Sequence, residues 1–287
     1  MRKVERIIPA FDINMGGILL KQALPTTNVP QFDPFLLVHH GSFNYTNRKP
    51  AKQQGIGPHP HRGFSPVTFV IKGEINHRDS RGNDQVAKKG EVQWMNAGRG
   101  IVHSERPSDA IAKRSGTTEI IQLWINSPAI NKKKEPSYQY SKEEDIPIVS
   151  SADGLIRNKV ITGTYNNVKG AMNGDSELLI LWSTAEKNGV QTVSVDKKFN
   201  LMLYVIRGEI RISGHGKVDP KSLLIFENND SEFDITVNSD AEYIILGGVP
   251  INEKMVQHGP FVMNSETEIM EAMRDYQMGK MGVLIED

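Results

Sequence analysis

The chain of 287 residues contains no cysteine, so disulfides, thiolate metal sites and thiol catalysis are excluded. Nor is there a charge excess. The 34 basic residues balance 34 acidic ones, and the pI is near 7.1. A general polyanion binder needs a basic face, so direct nucleic-acid binding is not expected. Long apolar runs are missing too. Met1-Arg2-Lys3-Val4-Glu5-Arg6 leads into no continuous hydrophobic stretch, and Ile18-Leu19-Leu20 is too short for a signal sequence or a membrane span. The expectation is a soluble, cytoplasmic protein without a membrane role. No phosphate loop, Rossmann fingerprint or Ser-His-Asp motif is evident.

What the chain does have lies between Gly55 and Glu105. Pro58-His59-Pro60-His61-Arg62-Gly63-Phe64 and Gly98-Arg99-Gly100-Ile101-Val102-His103-Ser104-Glu105 each carry two ligand-type side chains two residues apart. On an extended strand such residues share a face. Two such strands meeting inside a barrel would supply three imidazoles and one carboxylate, from His59, His61, His103 and Glu105: a metal site. The sequence between reads as antiparallel β. Val67-Thr68-Phe69-Val70-Ile71 is β-branched and aromatic; Lys72-Gly73-Glu74 is a turn, Ile75 to Arg78 a return strand, and Ser80-Arg81-Gly82-Asn83 a second turn. Gly98 and Gly100 let the chain bend sharply before His103.

The length suits two domains or a large double-barrel β protein. Ahead of the motif, Pro34-Phe35-Leu36-Leu37-Val38 is strand-like. His39 and His40, which follow, must face opposite sides, so at most one joins a site; structural or pocket-rim roles are expected. Beyond the strand Thr118–Ile125, the run Asn131-Lys132-Lys133-Lys134-Glu135-Pro136 and the later Lys142-Glu143-Glu144-Asp145 read as a solvated connector. The domains are therefore drawn as 1–131, a linker 132–150, and 151–287. Val205-Ile206-Arg207-Gly208-Glu209-Ile210 repeats Val70-Ile71-Lys72-Gly73-Glu74-Ile75 at an offset of 135 residues. At that offset Ser194 and Asp196 stand for His59 and His61, and roughly Ile235-Thr236-Val237 for the second pair. The second copy should lack the metal site. His258 reads as structural. Ser265 to Met278 reads as a helix, with a Ser265/Glu268 capping box and Ile269, Met273 and Tyr276 along one face. No apolar seam is left over, so a monomer is expected.

His59-Pro60-His61-Arg62-Gly63-Phe64 and Gln93-Trp94-Met95-Asn96-Ala97-Gly98-Arg99-Gly100-Ile101-Val102-His103-Ser104-Glu105 closely resemble the pirin family of the cupin superfamily. Asp33-Pro34-Phe35-Leu36-Leu37, Leu123-Trp124-Ile125-Asn126 and Gln257-His258-Gly259-Pro260-Phe261-Val262 extend the resemblance over nearly the whole chain. It implies a mainly β bicupin: two facing antiparallel β-barrels of jelly-roll type, a short C-terminal helix, and metal only in the N-terminal barrel. It further implies one divalent ion, Fe(II) foremost with Zn, Mn, Ni, Co or Cu as alternatives, on His59, His61, His103 and Glu105. By the same resemblance the activity is that of a quercetin 2,3-dioxygenase. A flavonol and dioxygen would be the substrates, and Glu105 the catalytic base. The alternative is a non-enzymatic, iron-containing regulator acting through a protein partner; a third is an isomerase or dioxygenase for another phenolic or enol. The sequence departs from the family at Ser65-Pro66, where pirins commonly carry Glu-Thr, and at Val38-His39-His40, where the landmark is more acidic.

Overall fold

In the computed structural model, which describes residues 1–15 and 17–286, the internal repeat is a repeated bend. Gly73 and Gly208 adopt φ of +74° and +75°. A Cβ at either would collide with a backbone carbonyl, of Thr117 and of Asp240 respectively. Both the left-handed backbone and the close approach call for glycine. The same strand–bend–strand unit is thus built twice, in two separate sheet systems.

In chain order the first strands are β1 (Val4–Pro9), β2 (Phe11–Met15), β3 (Ile18–Leu24), β4 (Phe35–Asn44), β5 (Ile56–His61), β6 (Phe64–Lys72) and β7 (Glu74–Asp79). They continue as β8 (Asp84–Lys88), β9 (Val92–Asn96), β10 (Ile101–Arg106), β11 (Thr117–Asn126) and β12 (Ser137–Ser141), with a short helix α1 (Asp109–Lys113) before β11. A seven-stranded sheet runs β12-β9-β6-β11-β4-β3-β2, and a four-stranded sheet runs β5-β10-β7-β8. The second system opens with β13 (Ile148–Ser150) and β14 (Ile156–Thr162). Its seven-stranded sheet takes in β1, Ser222–Phe226, Asn200–Arg207, Ala241–Gly248, Leu178–Ala185, β14 and β13; its four-stranded sheet joins Val190–Ser194, Glu232–Val237, Ile210–Ile212 and Gly216–Val218. Each system is an antiparallel sandwich of two open sheets rather than a closed barrel.

Two compact units result, and neither is one continuous stretch. One comprises Met1–Asp12, Lys21–Pro34 and Glu144–Pro250; the other comprises Ile13–Leu20, Phe35–Glu143 and Ile251–Asp287. The division 1–131, 132–150, 151–287 is crossed at both ends. β1 pairs with Ser222–Phe226, and helix α2 (Glu266–Gln277) packs Ile269 and Ala272 into a cluster with Val102, Phe261 and Met263. The chain does pass from one unit to the other inside the expected connector, between Glu143 and Glu144, but the stretch is not solvated coil. Ser137–Ser141 is an ordered strand paired with β9, and Lys132, at 1% exposure, is interior. The Ser265 cap on α2 is as expected, with Ser265 Oγ accepting from the Glu268 amide. The buried stripe differs: Met273 and Tyr276 face solvent, and Ala272 takes their place beside Ile269.

Candidate metal centre

β5 and β10 run antiparallel with His59 opposite His103 and His61 opposite Ile101. Strand alternation turns His59, His61 and His103 to one side, as their spacing requires. Gly98 at φ +45° and Gly100 at φ +129° make the bend that starts β10. The ring centroids lie 4.3 Å apart for His59–His103, 4.8 Å for His59–His61 and 4.9 Å for His61–His103. Their ligand atoms all fall within 4.8 Å of one another. Phe64 and Trp124 pack their rings at 5.0 Å and 5.3 Å from His61, giving one side of the cluster an apolar wall.

Burial pushes the His61 and His103 imidazoles well below their ordinary pKa, and the neighbouring imidazoles push the same way. Those two rings are thereby kept neutral, the form in which imidazole binds metal. Nδ1 of His61 and Nε2 of His103 are buried without a hydrogen-bond partner. Such orphans are costly in a folded protein, and a metal ion bound by these nitrogens would satisfy them. The residues fit a divalent first-row ion. Glu105, two residues past His103, is buried. Its carboxylate accepts from Gln122 Nε2 at 3.0 and 2.9 Å and from Thr68 Oγ1 at 3.3 Å. Trp124 Nε1 donates to Gln122 Oε1 at 3.3 Å, which turns the amide nitrogen toward Glu105.

Gln122 is central in another sense. On β11 it stands opposite Thr68 of β6 and His39 of β4, so the three make a polar row across the seven-stranded sheet. His39 lines a cavity of about 20 Å³ together with Met15, Leu20, Phe43, Ile56 and Gln122. Burial lowers its pKa to about 4. His40 turns the other way, its Nε2 2.8 Å from Glu119 Oε1, so the parity argument separates the two as expected. Pro66 shares the inward parity of Phe64 and Thr68 and brings no donor to the wall. His258 is exposed, outside the cluster.

Lys132 belongs to a run that its composition marks as solvated. Its Nζ instead donates to Asn126 Oδ1 at 2.6 Å, to the Gly63 carbonyl at 2.7 Å and to the Val262 carbonyl at 2.9 Å. It fixes the turn that follows His61. Nothing in the lysine run itself distinguishes this member from its neighbours. Gln122 was equally silent, although Gln122 and Trp124 have the same i, i+2 spacing that marks the histidines.

The second unit has no counterpart to this centre. Ile212 stands 135 residues after His77; Ile212 pairs with Ile235 as His77 pairs with Glu105. Ile235 and Phe233 therefore occupy the places of Glu105 and His103. They lie in a hydrophobic cluster with Val193, Leu181 and Ile245.

Two sandwiched β units, one holding a histidine cluster and one with apolar side chains in the corresponding places, define a two-domain cupin. Family models carry this further: the pirin model matches residues 17–125 and the pirin C-terminal cupin domain matches residues 181–282. The chain belongs to the pirin family. A pirin-like protein of Caulobacter vibrioides is 34% identical over 286 residues, covering 98% of this chain and 99% of its own. The crystal structure of quercetin 2,3-dioxygenase from Acinetobacter baumannii superposes with a TM-score of 0.91 at 32% identity, covering 99% of this chain and 100% of that one. The bacterial pirin YhhW from Escherichia coli, solved in complex with nickel(II), shares the fold with a TM-score of 0.70 at 18% identity over 85% of this chain and 99% of that one. No helix among the described residues is long and apolar enough to cross a membrane.

Proposed function

We propose that the protein is a metal-dependent dioxygenase that opens the ring of a flavonol such as quercetin, with His59, His61, His103 and Glu105 holding one Fe(II). The observation that carries this reading is the buried cluster of three imidazoles with ligand atoms within 4.8 Å. The relationship to the Acinetobacter baumannii quercetin 2,3-dioxygenase supports the substrate class. Held by His59, His61, His103 and Glu105, such an ion would supply the Lewis-acid and redox chemistry that activates an enolic oxygen toward dioxygen. The chain's own contribution is orientation and proton transfer. Glu105 is the proton acceptor for the flavonol 3-hydroxyl. Gln122 and Thr68 hold its carboxylate in place between turnovers, and their release of it frees an oxygen for the proton. Phe64 and Trp124 exclude water from one side of the centre.

One observation favours the second reading, a regulator working through a protein partner. The cavity beside Gln122 is about 20 Å³, whereas a pocket for a drug-sized ligand occupies about 300 Å³ or more. A flavonol could enter this cavity only if its lining moved apart. Metal analysis of the purified protein, followed by oxygen uptake with quercetin, separates the readings. One equivalent of iron with quercetin-dependent oxygen consumption and release of carbon monoxide supports the dioxygenase. Iron without turnover supports the regulator or another phenolic substrate. No metal after reconstitution removes both.

A further inference from the structure

β7 carries a second His-x-acid pair, His77 and Asp79, on the strand beside β10. Asp79 stands opposite His103 and His77 opposite Glu105. Nδ1 of His103 lies 3.3 Å from Nδ1 of His77, and Nε2 of His77 lies 3.0 Å from Oδ2 of Asp79. The Tyr138 ring lies flat on His77, with centroids 4.4 Å apart and planes 16° apart. His77 and Asp79 are each 3% exposed.

The protons in this line can be placed by elimination. Asp79 Oδ1 accepts from the amides of Arg81 and Asn83 at 2.9 and 3.1 Å, and Oδ2 from Asn83 Nδ2 at 2.8 Å. A carboxylate filled with donors only accepts. His77 Nε2 must then carry the hydrogen it gives to Asp79. With a single hydrogen on the His77 ring, at Nε2, its Nδ1 keeps a lone pair, and the hydrogen between the two facing Nδ1 atoms then belongs to His103. The nitrogen left bare on His103 is Nε2. That is the buried atom without a partner inside the cluster. His59 reaches the same tautomer more simply, with Nδ1 2.8 Å from the Gly57 carbonyl.

We infer that His77 and Asp79 are positioning residues. Together they lock His103 in its Nδ1–H tautomer, aim Nε2 at the metal, and pass the charge of Asp79 through His77 to strengthen His103 as a donor. The inference rests on the metal-centre reading above. Outer partners of this kind orient a ligand and raise its basicity, and removing one typically costs about 10–100-fold in metal affinity.

Two variants separate positioning from packing. His77→Phe keeps a ring against Tyr138 and removes the acceptor. His77→Asn places an acceptor oxygen near the position of Nδ1. Long-range proton–nitrogen NMR on the metal-free protein should show wild-type His103 as the Nδ1–H tautomer. In His77→Phe that tautomer should no longer be fixed, and zinc affinity by chelator competition should fall about 10–100-fold. His77→Asn should recover most of the loss. A His103 Nε2–H tautomer in the wild type overturns the inference. So does an equal loss, or no loss, in both variants when circular dichroism shows them folded. Absence of zinc or iron binding by the wild type would sink the metal reading instead, with the tautomer still judging the relay.

Discussion

Lys132 places a positive charge beneath three oxygens that have no water to turn to. Replacing it by methionine keeps the stem and orphans the carbonyls of Gly63 and Val262 and the amide oxygen of Asn126. Each orphan costs about 1–3 kcal/mol, so Lys132→Met should lower unfolding free energy by roughly 3 kcal/mol or more. A urea titration reads this as a lower midpoint at unchanged slope; an unaltered midpoint would mean the buried ammonium contributes nothing net. His61→Ala should act on binding rather than folding: metal per chain should drop to near zero while the far-ultraviolet spectrum stays native. Metal content at the wild-type level would mean that His61 is not a ligand. The histidine pairs were legible because each side chain carries its chemistry in its name and its direction in its spacing. His77 and Asp79 have the same spacing, and the strand was recognised, yet the pair reads as plain strand polarity until β10 is laid beside it. Lys132 was illegible for a different reason. Burial of one lysine in three depends on where the backbone carbonyls of residues 63 and 262 arrive, and those lie far away in sequence.

Among the elements, the two repeated bends offer a matched experiment. Gly73→Ala and Gly208→Ala each force a Cβ into a left-handed backbone position and against a carbonyl. Strain of this kind costs about 1–3 kcal/mol before the clash is counted. Each variant should lower the thermal midpoint, and by similar amounts. A neutral effect at either position would show that the bend can relax, and that the repeat is held by its strands rather than by its glycine. The strands themselves were readable from β-branched and aromatic composition, and the helix from Ser265 and Glu268. What composition could not supply was closure. The open edges of the sheets, the pairing of β12 with β9 and the identity of the buried side of α2 are decided by neighbours that arrive from distant parts of the chain.

For the whole molecule, buried neutral histidines tie stability to acidity. In the unfolded chain His39 titrates near 6.5, and in the folded protein burial lowers it to about 4. Below 6.5 the unfolded state therefore binds a proton that the folded state refuses, and stability falls with pH. The contribution is whole above about 6.5, drains through the window and is gone once the pH passes about 4. His39 alone accounts for roughly 3 kcal/mol over that span, and His61 and His103 add in the same direction. The urea midpoint of the metal-free protein should drop between pH 7.5 and pH 5, and His39→Leu should flatten part of that fall. A midpoint independent of pH would contradict the neutral state of these rings.

The discontinuous make-up of the two units also bears on synthesis. A ribosome delivers β1 long before Ser222–Phe226, and it delivers the histidines of β5 and β10 long before Glu286, whose carboxylate grips Arg106 at 2.7 Å across 180 residues. Met281, packed against Gly100 beside the turn into β10, also follows long after the histidines. The unit holding the histidines can be completed only after Met281 and Glu286 have been made. Chains made only as far as β10 have the ligands without the finished cage, whose last wall waits for residues made far later.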